Sequence, residues 1–185
     1  QNEQLQDVEQ VRGALEKTRN RIYSIALTHE KLYHSENLTE VNMRTYIESF
    51  LSTFNTSMLG ETSLSINSEL DDVNLSITYA VPCGIILNEL LTNAVQHAFH
   101  GSEEGSITVT FTSPAEQQYR LVVEDDGEGL AEDFELGMGS SLGLVLVETL
   151  IRQIRGELRI SSENGSRFEV LFDVPASAES SAAES

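Results

Sequence analysis

Apolar positions recur every seven residues near the start of the chain. One row of this repeat holds Val8, Leu15, Ile22 and His29, and a second row follows three positions later. A seam of this length predicts a helix over residues 4–33 that needs a partner, because a single helix cannot bury its own stripe. We expect that partner to be another helix of a bundle or dimer. Packing on the helix's own domain is the alternative.

After a break at 35–37, apolar positions return on one side of a predicted helix over 41–54. Leu64 and Ile66 then alternate with polar residues, which is typical of a strand. A turn is predicted at 71–74. The chain therefore passes from a helical part into a part that also contains strands.

The pattern after residue 75 predicts six further elements. In order they are a helix from residue 78 or 80 to 99, strands 107–111 and 119–124, a helix over 142–155, and strands 157–162 and 167–174. Pro82 suits the first turn of the long helix, a turn around Pro114 joins the first two strands, and Gly156 caps the second helix. A turn at 164–165 joins the last two strands. Because two hairpins imply antiparallel neighbours, we predict an α+β fold and not a doubly wound parallel sheet.

The chain is strongly acidic, with 30 Asp and Glu against 11 Lys and Arg and a formal net charge of −19. Such a charge repels nucleic acid and anionic lipid, and no basic stripe offsets it. The longest apolar runs, such as 81–87, are far below the ~20 residues of a membrane span. We therefore predict no nucleic-acid binding and no membrane contact by this fragment. Phosphate ligands are not excluded, since N–H groups, a helix N-terminus and a cation hold phosphate locally.

The chain contains one cysteine, Cys83, among apolar neighbours. One thiol excludes an intrachain disulfide framework and a cysteine zinc cluster, and we expect it to be buried. A reducing, cytoplasmic setting follows from this. The first residue is not Met and the N-terminus has no basic or apolar leader. We therefore expect a piece of a longer protein without a signal peptide.

The long predicted helix carries one row of polar side chains in an otherwise apolar sequence. Glu89 and Asn93 are four residues apart, and Gln96 and His97 follow one turn later, so all four project from one face. A carboxylate and a carboxamide oxygen at this spacing suit Mg²⁺, which takes its remaining ligands from water and phosphate. The alternative is a row that simply faces solvent.

The strand over 119–124 runs directly into Asp125, which is followed by Gly127 and Gly129. This order places a carboxylate at the end of the strand, and the two glycines let the backbone turn and approach a ligand closely. The alternative is an acidic hairpin turn. Because the stretch leads into more glycines and a helix, and not into a return strand, we predict a ligand-binding loop.

A second glycine-rich stretch precedes the helix over 142–155. Its members of interest are Gly137, Gly139, Ser140, Ser141, Leu142, Gly143 and Leu144. Glycines and serines before a helix N-terminus favour phosphate binding, because free N–H groups and the positive end of the helix dipole meet there. The stretch is not the common phosphate loop, since no Gly-Lys-Ser/Thr occurs, and its spacing does not fit the dinucleotide fingerprint.

Together these motifs resemble those of the GHKL ATPase superfamily, which includes gyrase-type ATPases, large heat-shock chaperones, mismatch-repair ATPases and histidine kinases. The matching motifs are Glu89-x-x-x-Asn93-Ala for the asparagine box, Asp125-x-Gly127-x-Gly129 and Ser141-Leu-Gly143-Leu for the two glycine boxes, and Gly165-Ser-Arg-Phe168 for the closing motif. Ser166 replaces the usual threonine of that last motif. The resemblance covers about residues 60–174 and implies a two-layer sandwich of a mixed, mainly antiparallel sheet and helices.

The resemblance also implies roles for individual residues. Asp125 would accept a hydrogen bond from the adenine amino group of ATP, Asn93 would bind Mg²⁺, and Glu89 would act as base or as an acid that orients the metal. The implied ATP-binding set is Asn93, Gln96, His97, Asp125, Gly127, Gly129, Gly137, Gly139, Ser140, Ser141, Leu142, Gly143, Leu144 and Ser166. Residues 137–143 would close over the phosphates. Gln96 departs from the lysine that is frequent in the family, and Asp126 from a frequent asparagine.

Two segments resemble histidine kinases of the second dimerisation class in particular. One is 85–99, and the other is 21–33, which is similar to the second helix of that class's dimerisation hairpin. The resemblance implies that 1–58 are the second half of this hairpin plus a connecting helix. It further implies an ATP-binding catalytic domain over 59–175, and the composition of 176–185 predicts a disordered tail.

The implied function is that of a two-component sensor histidine kinase, whose catalytic domain transfers the γ-phosphate of ATP to a histidine. His29 lies in the packing row of the predicted helix, so we expect the acceptor upstream of Gln1. The implied partners are the receiver domain of a response regulator and a second copy of the chain, joined through the N-terminal helices. Three alternatives stay open: an ATP hydrolase in which Glu89 activates water, a protein-serine kinase, and a degenerate nucleotide-binding scaffold that dimerises.

Overall fold

The computed structural model describes residues 40–59, 63–99, 104–130, 134 and 142–175. In chain order the elements are β1 (Glu40–Asn42), α1 (Met43–Phe54), a π-helical turn (Asn55–Leu59), β2 (Ser63–Leu70), β3 (Asn74–Ser76), α2 (Ile77–His97), β4 (Glu104–Ala115), β5 (Gln118–Asp125), α3 (Leu142–Gln153), β6 (Glu157–Ser161) and β7 (Arg167–Asp173). The predicted helix over 4–33 and the predicted tail over 176–185 lie outside the described residues.

Five strands form one sheet in the order β2-β4-β5-β7-β6. β2 pairs with β4 in parallel, and the other neighbours in this sheet pair antiparallel. The short strands β1 and β3 form a separate antiparallel pair. This arrangement confirms the predicted mixed, mainly antiparallel sheet.

One face of the sheet carries the hydrophobic core, because successive side chains of a strand lie on opposite faces. The buried residues of the three central strands that alternate in this way are Ile107, Val109, Phe111, Tyr119, Leu121, Val123, Phe168, Val170 and Phe172. They share one core with apolar residues of α1, α2 and α3. The helices therefore form the second layer of the predicted α+β sandwich.

Helix α1 packs in this same core, although the sequence places it in the helical segment 1–58. Tyr46 and Ile47 are 0% and 1% exposed. The strand before α1 pairs with β3, which leads directly into α2. Residues 40–54 are therefore part of the sandwich itself. The domain boundary between residues 58 and 59 stays a prediction.

Helix α2 begins at Ile77 and ends at His97, whereas the sequence predicted a start at 78 or 80 and an end at 99. Pro82 lies inside the helix and not in its first turn, which corrects the prediction. The reason is that β3 runs into α2 without a loop, so strand pairing and not the proline sets the start of the helix. Neither α2 nor any other helix within the described ranges has the length and apolarity needed to cross a membrane.

Cys83 lies within α2 and is 2% exposed. Burial raises the pKa of its thiol to about 12, and a protonated thiol is a poor nucleophile and metal ligand. The predicted buried structural thiol is therefore confirmed.

The hairpin between β4 and β5 turns at 116–117, and not around Pro114 as predicted. Gln117 closes the turn with a φ of 62°. Pro114 fits inside β4 because β2 ends opposite Phe111, so the proline meets no partner strand on that side.

Helix α3 ends at Gln153, two residues before the predicted end at Arg155. Arg155 has a φ of 55°, and it takes the left-handed position of the helix cap. The N–H of Gly156 donates to the carbonyl of Ile151 at 2.8 Å, the bond that closes a Schellman motif. Gly156 thus takes part in the cap, as predicted, one position beyond the left-handed residue.

Candidate functional site

A cavity of about 470 Å³ lies between the second half of α2 and the facing ends of β5 and β7. Its lining residues are Leu90, Asn93, Ala94, His97, Ala98, Val123, Asp125, Glu128, Gly129, Leu130, Phe134, Leu144, Ser166 and Phe168. The long helix, the loop after β5 and the start of α3 thus meet at one site, as the motifs require. We call this the first cavity.

Asp125 stands at the end of β5, lines the first cavity and is 4% exposed. Its Oδ1 accepts hydrogen bonds from the N–H of Gly127 at 3.0 Å and from the N–H of Ser166 at 3.1 Å. The hydroxyl of Ser166 donates to Oδ2. These donors fix the orientation of the carboxylate, and its remaining lone pairs can accept from a ligand in the cavity.

Two glycines permit the close packing around Asp125. A Cβ at Gly127 would lie 2.1 Å from the carbonyl oxygen of Ala98 at the end of α2. Gly165 has a φ of 97°, and a Cβ there would lie 1.8 Å from the carbonyl oxygen of Asp125. The turn before β7 can therefore deliver Ser166 to the carboxylate only with glycine at position 165.

Apolar side chains form the walls of the first cavity. Leu90 projects from α2, Val123 from β5, and Leu130 and Phe134 from the segment after β5. The ring of Phe134 meets the ring of Phe168 edge to face, with centroids 6.3 Å apart and planes at 84°. Such walls around one oriented carboxylate suit a flat, mainly apolar ring that carries a hydrogen-bond donor.

The predicted polar row of α2 divides between two environments. Asn93 and His97 line the first cavity. Glu89 is 2% exposed and Gln96 is exposed, and neither is among the residues that line it. The row therefore does not simply face solvent. The roles predicted for Glu89 and Gln96 stay predictions.

The second glycine-rich stretch is described only from Leu142 onward. Gly137, Gly139, Ser140 and Ser141 lie outside the described residues. Leu142 is exposed, Gly143 is buried, and Leu144 is buried and lines the first cavity. The N-terminus of α3 thus lies beside the cavity, with the positive end of its dipole near any ligand there.

The donor atoms at the site fit a magnesium ion that is held mainly by a ligand's phosphates. The described residues contain no group of three or more His, Cys, Asp or Glu that could hold a metal ion. The half-buried carboxamide of Asn93 supplies one hard oxygen at the cavity wall. Mg²⁺ takes few ligands from protein when phosphate and water oxygens complete its shell.

The predicted set of site residues omits part of the cavity lining. The omitted residues are Leu90, Ala94, Ala98, Val123, Glu128, Leu130, Phe134 and Phe168. Most of them are apolar and look in sequence like ordinary core residues. Two of them had a signal, because Ala94 belongs to the Glu-x-x-x-Asn-Ala motif and Phe168 to the Gly-Ser-Arg-Phe motif.

Two family models match this chain. Residues 80–176 match the family described as histidine kinase-, DNA gyrase B-, and HSP90-like ATPase. Residues 1–58 match a family described as histidine kinase.

Curated proteins with similar sequences include several kinases. The chain is 31% identical over 118 residues to blue-light-activated histidine kinase 2 of Erythrobacter litoralis, covering 64% of this chain and 34% of that protein. It is 33% identical over 169 residues to the sensor histidine kinase PdtaS of Mycobacterium tuberculosis, covering 89% of this chain and 33% of that protein. A shorter match, 33% over 85 residues, links it to the serine-protein kinase RsbW of Listeria monocytogenes, with 38% of this chain and 54% of that protein covered. The chain thus spans about a third of the length of the two histidine kinases.

Solved structures show the same fold. The histidine kinase domain of the blue-light-activated kinase of Erythrobacter litoralis superimposes with a TM-score of 0.79 at 23% identity, covering 91% of this chain and 79% of that one. The histidine kinase AdeS of Acinetobacter baumannii gives a TM-score of 0.62 at 20% identity, covering 91% and 81%. The chain belongs to the histidine kinase-, DNA gyrase B-, and HSP90-like ATPase family, and within it carries the catalytic ATPase domain of a histidine kinase.

Proposed function

We propose that the first cavity binds ATP and that the protein transfers the γ-phosphate to a histidine of its own kinase. The observation that carries the proposal is the carboxylate of Asp125, 4% exposed and oriented by donors from Gly127 and Ser166 within apolar walls. An adenine ring fits this combination, because its amino group donates a hydrogen bond and its faces are apolar.

Under this proposal, each predicted site residue has its own role in the reaction. Asn93 would hold Mg²⁺, which neutralises charge on the phosphates when it is bound. The N-terminus of α3 and the glycine-rich residues 137–143 would contact the phosphates. Gln96 and His97 would complete the nucleotide site on α2, and Glu89 would act as base or orient the metal.

In the transfer step, an imidazole nitrogen of the acceptor histidine attacks the γ-phosphorus while the bond to the β-phosphate oxygen breaks and ADP leaves. Little covalent chemistry falls to the protein, so positioning and charge neutralisation account for most of the catalysis. We place the acceptor upstream of Gln1, since residues 21–33 resemble the second helix of the dimerisation hairpin.

The arrangement of the whole protein follows from the same proposal. Residues 1–58 would form the second half of a dimerisation hairpin and the connecting helix, and 59–175 the ATP-binding domain. The match of 1–58 to a histidine kinase family supports a homodimer through the N-terminal helices. The receiver domain of a response regulator would then take the phosphoryl group, in the cytoplasm, where ATP is available.

Titration calorimetry with ATP and Mg²⁺ tests the nucleotide site on the 185-residue chain. We expect saturable binding that is weakened about 100-fold when Asp125 is changed to Asn. Absence of binding, or binding that is unchanged in Asp125→Asn, would remove the basis of the proposal.

The acceptor is tested in the protein that carries the upstream segment. We expect γ-phosphate incorporation that is labile to acid, as phosphohistidine is. Acid-stable phosphoserine on an added protein would favour the second candidate, a protein-serine kinase, which the match to RsbW supports. Release of free phosphate without a phosphoprotein would favour an ATP hydrolase.

A further inference from the structure

Helix α2 buries three polar side chains within one turn of its central part. Asn88 is 0% exposed, Glu89 is 2% exposed and Thr92 is 1% exposed. Their helix neighbours Leu87 and Leu91 are buried and apolar. Removing an amide, a carboxylate and a hydroxyl from water costs free energy unless each finds hydrogen-bond partners inside the protein.

The hydrogen bonds of this cluster are incomplete. The side-chain amide of Asn88 donates from Nδ2 to Oε1 of Glu89 at 3.3 Å. Asn88 Oδ1 and Thr92 Oγ1 have no hydrogen-bond partner in the part of the chain that the structure describes. An unpaired buried carbonyl destabilises a fold, and an apolar side chain of the same shape at position 88 would avoid that loss. Stability therefore does not explain an amide at this position.

What the amide does provide is a donor to Glu89. The carboxylate of Glu89 ends a side chain with three rotatable bonds, and a donor on one of its oxygens restricts the plane in which it lies. Neither Asn88 nor Glu89 lines the first cavity, so any effect of Asn88 on phosphoryl transfer runs through the carboxylate to which the proposed function assigns a role in that step.

We propose that Asn88 is a positioning residue that orients Glu89 for phosphoryl transfer. This proposal rests on the function proposed above, in which Glu89 acts in that reaction. Loss of the donor leaves the nucleotide cavity intact and removes one of the contacts that orient the carboxylate. The rate of transfer falls, while the affinity for ATP is retained.

The test compares Asn88→Leu with Thr92→Val in the full-length kinase with its acceptor histidine. Both changes remove a buried polar atom that has no partner among the described residues, and only Asn88→Leu removes the donor to Glu89. We expect Asn88→Leu to lower the single-turnover rate of phosphoryl transfer by roughly 10- to 100-fold. Thr92→Val should leave that rate within about twofold, and ATP affinity should change by no more than about twofold in either variant.

A double-mutant cycle with Glu89→Gln separates positioning from a general structural effect. Asn88→Leu should add no further loss of rate in the Glu89→Gln background, because its target is already gone. An equal loss in Thr92→Val, or a full additional loss in the double variant, would overturn the proposal. A wild-type kinase without transfer, or a Glu89→Gln variant with the wild-type rate, would instead refute the role proposed for Glu89.

A spectroscopic measurement on the 185-residue chain needs no activity. The side-chain amide signals of Asn88 in a nitrogen-15 NMR spectrum are assigned by their loss in Asn88→Leu. They should shift in Glu89→Gln and stay in place in Thr92→Val. If Asn88→Leu does not fold, Asn88→Ser replaces it in the kinetic comparison, and an unshifted Asn88 signal in Glu89→Gln contradicts the proposal by itself.

Discussion

Two cavities of similar volume lie at opposite ends of strands β5 and β7. The first cavity, about 470 Å³, is at the end of β5 and the start of β7. A second cavity of about 500 Å³ is at the start of β5 and the end of β7. Its lining residues are Pro114, Gln118, Arg120, Arg155, Gly156, Glu157, Arg159, Glu169, Leu171, Phe172 and Asp173.

The second cavity is lined by three arginines and three acidic residues, and one salt bridge between them is exposed to water. Arg159 lies 2.9 Å from Glu157, and their side chains are 58% and 64% exposed. The hydrogen bond and the charge of Arg159 hold the pKa of Glu157 below its ordinary value. Exposed ion pairs of this kind contribute little free energy. Water already solvates these charged groups, so they do not require a ligand.

The first cavity has few charges, and its carboxylate is buried among donors of the protein backbone. Asp125 has no cation beside it among its described hydrogen-bond partners, which are Gly127 and Ser166. A buried, oriented acceptor with free lone pairs therefore marks a binding site better than the number of charged residues does.

The difference between the two cavities is tested most directly by changing one carboxylate in each of them. Asp125→Asn should weaken ATP binding by about 100-fold, because the hydrogen bond from the ligand to a charged acceptor is lost and the side-chain amide presents a donor where one carboxylate oxygen now accepts. Asp173→Asn in the second cavity is the matched control and should bind ATP as the wild type does. Titration calorimetry measures both, and equal losses would refute the distinction between the cavities.

The second largest effect is expected in the turn that places Ser166 beside Asp125. Gly165→Ala should lower the free energy of unfolding by about 2 kcal/mol, because alanine is strained at a positive φ and its Cβ meets the backbone of Asp125. ATP affinity should fall as well. The neighbouring exposed residue provides a control, since Asn164→Ala should unfold in urea with nearly the wild-type midpoint. A Gly165→Ala variant as stable as the control would contradict this account.

Phe134 tests the apolar wall of the first cavity and has a smaller expected effect. Phe134→Ala should weaken ATP binding by about 5-fold, the scale of one aromatic contact, and Phe134→Leu by less. Adenosine should lose affinity to the same degree, and inorganic tripolyphosphate should lose none. Loss of tripolyphosphate binding would mean that Phe134 acts on the phosphate end of the site.

The smallest effect is expected in the second cavity. Because the pKa of Glu157 is lowered in the folded state, its pairing stabilises the fold at neutral pH and is lost as the pH falls through the folded pKa, below 4.5. Glu157→Gln should therefore leave the urea midpoint at pH 7 unchanged within error and weaken the acid dependence only slightly. A large fall in the urea midpoint at pH 7 would show that the exposed ion pair stabilises the fold, contrary to this account.

The main elements of the fold could be predicted because their patterns are long. Alternation in β4 and β5 and the length of α2 are visible in sequence. The three-residue strands β1 and β3 could not be found, since three residues show no period. The turn at 116–117 was also missed, because Pro114 is a turn signal unless the neighbouring strand has already ended.

The candidate site could be predicted where its residues are polar or glycine. Asn93 and Asp125 stand out from apolar surroundings, and the structure brings both to one cavity. Leu90 and Phe134 do not stand out, because an apolar residue that lines a cavity looks like one that fills a core. The burial of Glu89 was equally hidden, since a charged residue on a helix normally indicates a solvent-facing position.

The place of β7 in the sheet has a consequence for synthesis of the protein. β7 is the last strand of the described residues, yet it lies between β5 and β6 and is preceded by Ser166, the partner of Asp125. On the ribosome, Asp125 emerges long before Ser166, and β5 then lacks its neighbour on one side. The nascent chain therefore cannot form the nucleotide cavity until almost all of the domain has left the exit tunnel, and a chain that terminates before β7 loses an interior strand and not an edge strand.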